Sequence, residues 1–333
     1  MLAISDSEVR LLLTMPECIE LMVDALEALA EGAAAVPLRS LMWLPDRSGL
    51  LGMMPGHHAA AGIMGIKVVS VMPGNHGTEY DAHQGVVLVF ETEHGRPVAI
   101  VDATSITAIR TAAVSGVATR LLAREDAGDL ALLGSGTQAA THLEAMLAVR
   151  PIGRVRVWSR TGERARAFAA RETARHGITI EVAADARAAV EGADLICTTT
   201  ASPEPVLEGD WIAEGAHINA VGSSVRTARE LDATAVARSR LFVDRRESAL
   251  NEAGDFLLAR AEGAVTDDHI AGELGEILTG RVPGRTSPAE ITLFESLGLS
   301  IEDVASAMFV YERARAVGAG RSLELGGVRA SHP

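Results

Sequence analysis

The chain of 333 residues has two cysteines, one lysine and no run of eighteen apolar residues. Each scarcity excludes something. Cys18 and Cys197 are far apart and fit neither a CxxC nor a metal-ligand spacing, so a reducing cytoplasm is the expected compartment. Without a long apolar run no membrane span is expected. The opening MLAISDSEVRLLL carries Asp6 and Glu8 where an export signal has positive charge, and no small-residue cleavage site follows. Basic residues are outnumbered, 30 against 44 acidic, for a net charge of -14. A nucleic-acid partner is therefore not expected. We find no internal repeat, heptad run or low-complexity tract. A hydrophobic fraction of 48% with 22% charged residues is ordinary for a globular protein, and the length suits two domains.

Among the 30 basic side chains only Lys67 is a lysine. A coding bias toward arginine replaces lysine wherever arginine will serve. A lysine that persists marks a place where a proton that can leave is useful, because arginine stays charged at any working pH.

Residues 5–34 read as a helix-rich entry, with Ser5 or Ser7 as cap. From Leu38 to Val101, short apolar runs such as GIMGIKVVSVM and GVVLVF alternate with Gly, Pro, Asp and Asn, the pattern of antiparallel strands and turns. Residues 104–124 turn helical again. From Asp129 a different rhythm begins: DLALLGSG, RVRVWSR, TIEVA, ADLICTTT, HINAVG and RLFVDR recur as short strands, with helices between several of them. This alternation predicts an α/β fold with a Rossmann-type, doubly wound parallel sheet. The final SIEDVASAMFVYERARAVG reads as a capped amphipathic helix. The expected division is a mixed α+β domain of residues 1–119, on which the C-terminal segment 293–333 packs back, with a Rossmann domain at 120–292.

The turn Gly134-Ser135-Gly136-Thr137-Gln138-Ala139 fits G-x-G-x-x-A between a strand and a helix. The first glycine allows the tight turn and the second lets the backbone approach a pyrophosphate. The helix N-terminus offers free N–H groups to the charge. An NAD site places an acid at the end of the second strand. That strand ends here in Ser159-Arg160-Thr161, where an arginine with two hydroxyls suits a 2′-phosphate. NADPH is therefore the expected cofactor, with NADH weaker. Thr198, Thr199 and Thr200 after the fourth strand, and Val221, Gly222 and Ser223 after the fifth, are expected at the ligand-binding edge of the sheet. No metal is expected: His57-His58, His76 and His83 lack a partner at ligand spacing.

Several segments together resemble the ornithine cyclodeaminase/mu-crystallin family, over nearly the whole chain. They are Gly65-Ile66-Lys67-Val68-Val69, Met72-Pro73-Gly74-Asn75, His83-Gln84-Gly85, Ile106-Thr107-Ala108-Ile109-Arg110-Thr111-Ala112-Ala113, the turn at 134–139, His217-Ile218-Asn219-Ala220-Val221-Gly222, Glu273-Leu274-Gly275-Glu276-Ile277 and Leu293-Phe294-Glu295-Ser296-Leu297-Gly298. The resemblance implies a homodimer pairing through the N-terminal domains. It also implies a substrate carboxylate held by Arg39, Lys67 and Arg110, with Arg110 and Thr111 reaching the cofactor phosphates. Ser296 and Leu297 would lie near the nicotinamide and substrate.

Within the family, the cyclodeaminases look to need an aspartate just after the Ala-Val-Gly strand. Ser224 stands there in this chain, and Ser159 stands where an NAD-binding aspartate is expected. Both departures point to the branch that reduces cyclic ketimines. Such a reductase takes a hydride onto an imine carbon and a proton onto nitrogen. Lys67 and Ser224 are the catalytic candidates, and Lys67 is either the proton donor or a plain carboxylate counter-ion. The alternatives are an ornithine or lysine cyclodeaminase, an alanine dehydrogenase-like oxidoreductase and an NADPH-dependent binding protein.

Overall fold

The computed structural model describes residues 1–75 and 77–325. His76 lies outside the described residues. Contacts divide the chain into two compact units, one of Met1–Arg110 with the chain from Leu299 on, the other of Thr111–Gly298.

The first unit begins with β1 (Leu2–Ile4), α1 (Asp6–Leu12), α2 (Met15–Ala30), β2 (Ala34–Ala35), β3 (Ser40–Trp43), β4 (Leu50–His58), β5 (Ile63–Val71), β6 (His83–Glu91) and β7 (Pro97–Asp102). Both early helices start on capping boxes. The Ser5 N–H donates to Glu8 Oε2 at 2.8 Å, and Thr14 does the same with Glu17. The strands form one sheet in the order β16-β1-β7-β6-β5-β4-β2, with β3 also on β4 and β16 being Arg321–Ser322. From β3 to β7 every pairing is antiparallel, as the turn-rich texture predicts.

Helix α3 (Ala103–Leu122) follows, and the division between units falls inside it, after Arg110. The second unit then runs β8 (Asp129–Leu133), α4 (Thr137–Val149), β9 (Arg154–Trp158), α5 (Gly162–His176), β10 (Ile180–Val182), α6 (Ala186–Val190), β11 (Leu195–Thr198) and β12 (His217–Ala220). It continues with α7 (Ala233–Arg238), β13 (Arg240–Val243), α8 (Arg246–Glu252), α9 (Gly254–Ala261), β14 (Ile270–Glu273), α10 (Leu274–Leu278) and β15 (Thr292–Glu295). All eight strands are parallel, in the order β10-β9-β8-β11-β12-β15-β13-β14. The chain winds outward from β8 to β10 and then crosses back to β11. The loops after β8 and β11 therefore flank a topological switch point, where ligands of such sheets bind.

Two sequence expectations need correction. The second unit extends over 111–298 rather than 120–292. Strand β15 lies between β12 and β13 and carries the segment up to Gly298 with it, and α3 is one continuous helix across the other limit. The last helix, α11 (Ser300–Val317), lies in the first unit, lacks a side-chain cap at its N-terminus and is not amphipathic as read. Its N-cap is Leu299, and Ser300 to Ala307 are all buried because the helix packs across β4, β5 and β6. Ser300 Oγ serves that packing, donating to the Pro55 carbonyl at 2.5 Å. Among the described residues, no helix is long and apolar enough to cross a membrane.

Candidate functional site

Strand β5 alternates, so Ile63, Gly65 and Lys67 point to the buried face. A Cβ on Gly65 would meet Val304 Cγ2 at 2.9 Å and the Leu88 carbonyl at 2.7 Å. The absent side chain lets α11 settle on the sheet, and Lys67, two residues along the same face, meets Asp303. Its Nζ lies 2.9 Å from Asp303 Oδ2 and 3.4 Å from Thr107 Oγ1, and the residue is 3% exposed.

Arg110 on α3 completes the cluster. Its Nε donates to Asp303 Oδ1 at 2.9 Å and its Nη1 to Glu302 Oε2 at 2.6 Å, so two of its nitrogens are engaged. Glu302 and Asp303 sit in the first turn of α11, where the helix dipole favours negative charge. Arg39, half-buried just before β3, adds positive charge felt at Lys67. Burial pushes Lys67 down to about 8, with Asp303 opposing the shift and Arg110 and Arg39 adding to it. The structure thus places Lys67 and Arg110 on one carboxylate, Asp303, with the charge of Arg39 acting on Lys67. It adds two carboxylates that the sequence reading missed. The available signal was a pair of adjacent acids inside a small, apolar helix start.

In the second unit the turn from β8 into α4 has the geometry of a phosphate cradle. Gly134 adopts φ +127°, and a Cβ there would lie 2.5 Å from Thr199 Oγ1. Gly136 is the exposed N-cap of α4, and nothing lies within 4 Å of where its Cβ would be. Open space in front of free helix N–H groups fits a pyrophosphate. Ser135 and Gln138 flank this opening half-buried, and Thr137 is exposed. Across β8 in register, β9 ends at Trp158, followed by half-buried Ser159 and exposed Arg160 and Thr161. Thr161 is the N-cap of α5. No ion pair to an acid among the described residues holds Arg160.

Thr198 is buried at the end of β11, and Thr199 and Thr200 follow it half-buried. Val221, Gly222 and Ser224 are half-buried after β12. One residue ties these two loops together. Glu230, fully buried, accepts the Thr200 N–H at 2.5 Å and the Gly222 N–H at 2.7 Å. Asp255 in turn accepts the backbone N–H groups of Glu230 and Leu231, both at 2.7 Å. The Ser223 hydroxyl is turned inward. It donates to the Ala228 carbonyl at 2.7 Å and accepts the Asp255 N–H at 3.1 Å. Burial, with the Glu230 charge close by, pushes Asp255 up to about 7. Burial together with Asp255, Glu230 and Asp244 raises Glu295 well above the usual range.

Thr111, Ser296 and Leu297 are also buried in this unit. The N–H of Leu297 is held by Asp244 Oδ2 at 2.8 Å. Glu230, Asp255 and Asp244 were not singled out from sequence, because their partners are backbone amides that no side-chain pattern announces.

The model of the ornithine cyclodeaminase/mu-crystallin family matches residues 1–318. A ketimine reductase mu-crystallin of Mus musculus is 39% identical over 282 residues, covering 85% of this chain and 86% of that protein. Among solved structures, a Delta(1)-pyrroline-2-carboxylate reductase of Thermococcus litoralis, in complex with NADH and L-proline, superposes with a TM-score of 0.95 at 39% identity. The match covers 97% of this chain and 100% of that one. An archaeal alanine dehydrogenase dimer with bound NAD gives a TM-score of 0.92 at 32% identity, covering 98% and 99%. With a family match over residues 1–318 and a relative 39% identical across 85% of its length, this chain belongs to the ornithine cyclodeaminase/mu-crystallin family.

Proposed function

We propose that the protein is an NADPH-dependent reductase of the C=N bond in a cyclic ketimine acid, of the 1-pyrroline-2-carboxylate or 1-piperideine-2-carboxylate type. The observation that carries this reading is a buried lysine, poised near neutrality, beside arginines suited to a carboxylate, in a chain that also has a dinucleotide cradle. The similarity to a ketimine reductase and to a pyrroline-2-carboxylate reductase supports it. Ser224 instead of an acid argues against the cyclodeaminase alternative, since a serine cannot act as an ionised base. The likeness to an alanine dehydrogenase keeps reductive amination of a 2-oxo acid compatible with the same groups.

When bound, the nicotinamide supplies a hydride for the imine carbon. Gly134 to Gln138 would hold the pyrophosphate, and Thr198 to Thr200 with Val221 to Ser223 would form the cofactor edge. Arg39 and Arg110 orient the substrate carboxylate. Lys67 Nζ gives its proton to the imine nitrogen, is left neutral, and is recharged from solvent. Within the second unit, Ser224 after β12 and Leu297 after β15 are the proposed catalytic and substrate-binding residues at the cofactor edge.

The test is NADPH and NADH oxidation across a panel of cyclic imino acids, with ornithine alone and pyruvate plus ammonia as controls. Turnover of a cyclic ketimine supports the reading. Ammonia release from ornithine without added reductant overturns it. Arg160, exposed and placed before the α5 N-terminus, carries the preference for NADPH. Its substitution Arg160→Ala is expected to lower kcat/KM for NADPH by about 10- to 100-fold, the effect of one charge-assisted contact. The value for NADH should stay unchanged. A wild-type enzyme that uses NADH equally well sinks the preference.

The same reading includes a homodimer. Leu41, Met42 and Trp43 of β3 are 42%, 53% and 43% exposed, with Leu38, Leu44 and Met64 also open on the same unit. An apolar group of this kind marks an association surface. Trp43→Asp is expected to convert the dimer mass seen by light scattering to that of a monomer. A wild-type protein that is monomeric at micromolar concentration would remove this part of the proposal.

A further inference from the structure

The carboxylate of Asp303 serves two cations at once. One oxygen takes Lys67 Nζ and the other takes Arg110 Nε, each at 2.9 Å. Arg110 is itself steered by Glu302, so it cannot swing away without breaking a second buried pair. Glu302, the other acid of this helix turn, pairs with Arg110. The strand neighbours of Lys67 are Met54 on β4 and Val87 on β6, Thr107 on α3 offers a hydroxyl, and Arg110 and Arg39 act on it as positive charges. A buried ammonium among two arginines and apolar side chains sheds its proton unless an anion holds it. Asp303 is the anion in contact.

An ammonium has three N–H donors in fixed tetrahedral directions. Nζ donates to Thr107 Oγ1 at 3.4 Å and lies in ion-pair contact with Asp303 Oδ2 at 2.9 Å, so two of its neighbours are set by the fold. We propose that Asp303 is the positioning residue of Lys67: shared with Arg110, its carboxylate fixes the direction of the ammonium and keeps the proton on Nζ. The proposal rests on the reductase reading only for its kinetic consequence, since the lysine can be observed without turnover.

Lys67 is the sole lysine of the chain, so protein grown on isotopically labelled lysine gives a single side-chain NMR signal that needs no assignment. In the wild type this signal should titrate near pH 8. In Asp303→Asn the midpoint should fall by about one pH unit or more, the usual effect of removing an opposite charge in contact. Asp303→Glu keeps the charge but carries it one methylene further, so a smaller fall is expected. That variant also serves if the asparagine protein does not fold.

A midpoint unchanged in whichever variant folds overturns the proposal, whatever the rates. The kinetic arm separates this from the reductase reading. If the alkaline limb of kcat for imine reduction falls with the lysine signal, both stand. If the signal moves and the limb does not, Asp303 still governs Lys67, and it is the donor role of the lysine that fails.

Discussion

Lys67→Arg is expected to lower kcat for imine reduction by about 10²- to 10⁴-fold, the usual contribution of a positioned general acid, with KM for the imino acid changed far less. Arginine keeps the charge that a clamp needs but cannot release a proton at working pH. Lys67→Met should lose the same rate and also weaken substrate binding, because the charge goes too. Near-normal turnover of the arginine variant would end the donor role and leave Lys67 as a counter-ion.

The pH profile gives a second view of the same group. The donor must be protonated, so kcat should fall as pH rises through about 8. Unfolding linked to Lys67 cannot produce that fall. The folded value lies below the ordinary lysine value of 10.5, so between about 8 and 10.5 the unfolded chain binds the extra proton. Stability from this group therefore rises with pH over that window, by on the order of 3 kcal/mol. A rate that stays flat to pH 10 would contradict the assignment.

The second large effect concerns the phosphate turn. Gly134→Ala puts a Cβ 2.5 Å from Thr199 Oγ1 and 2.8 Å from the Thr199 carbonyl, in a backbone conformation that side chains rarely adopt. Strain of roughly 1–3 kcal/mol falls on the junction of β8 and β11. Binding of NADPH, followed by quenching of tryptophan fluorescence, should weaken by about 5- to 150-fold, and the melting temperature should drop. Gly136→Ala provides the contrast. Its φ of -89° suits any residue and its Cβ meets open space, so the melting temperature should hold while cofactor binding weakens. If Gly136→Ala binds NADPH as tightly as the wild type, no phosphate approaches that backbone and the cradle is misassigned.

Much of the candidate site was legible because its signals are local. The turn at 134–139 needs only a strand, two glycines and a helix in succession. Arg160 is read from its place at the end of the next strand. Lys67 stands out by composition alone, and the family motifs put it beside Arg110. What escaped is what depends on distant chain meeting at one point. Asp303 lies 193 residues from Arg110 along the chain, and Glu302 lies 192. In sequence they look like ordinary first-turn acids.

The Glu230 link between the loops of Thr200 and Gly222 escaped for another reason. It is made to backbone N–H groups, which every residue but proline carries and no side chain advertises. The inward Ser223 hydroxyl and the buried start of α11 belong to the same class, since burial is a property of neighbours.

The amino-acid sequence by itself determined the periodicities that make β8 to β13 a parallel sheet, the glycine turn at its switch point and the single lysine. These follow from bonding and sterics within a few residues. The tertiary structure alone decided that α11 lies against Gly65, that Asp303 bridges Lys67 and Arg110, and that Glu230 joins the two loops. Such contacts join segments far apart in the chain, and their strength comes from removing charged and polar groups from water together.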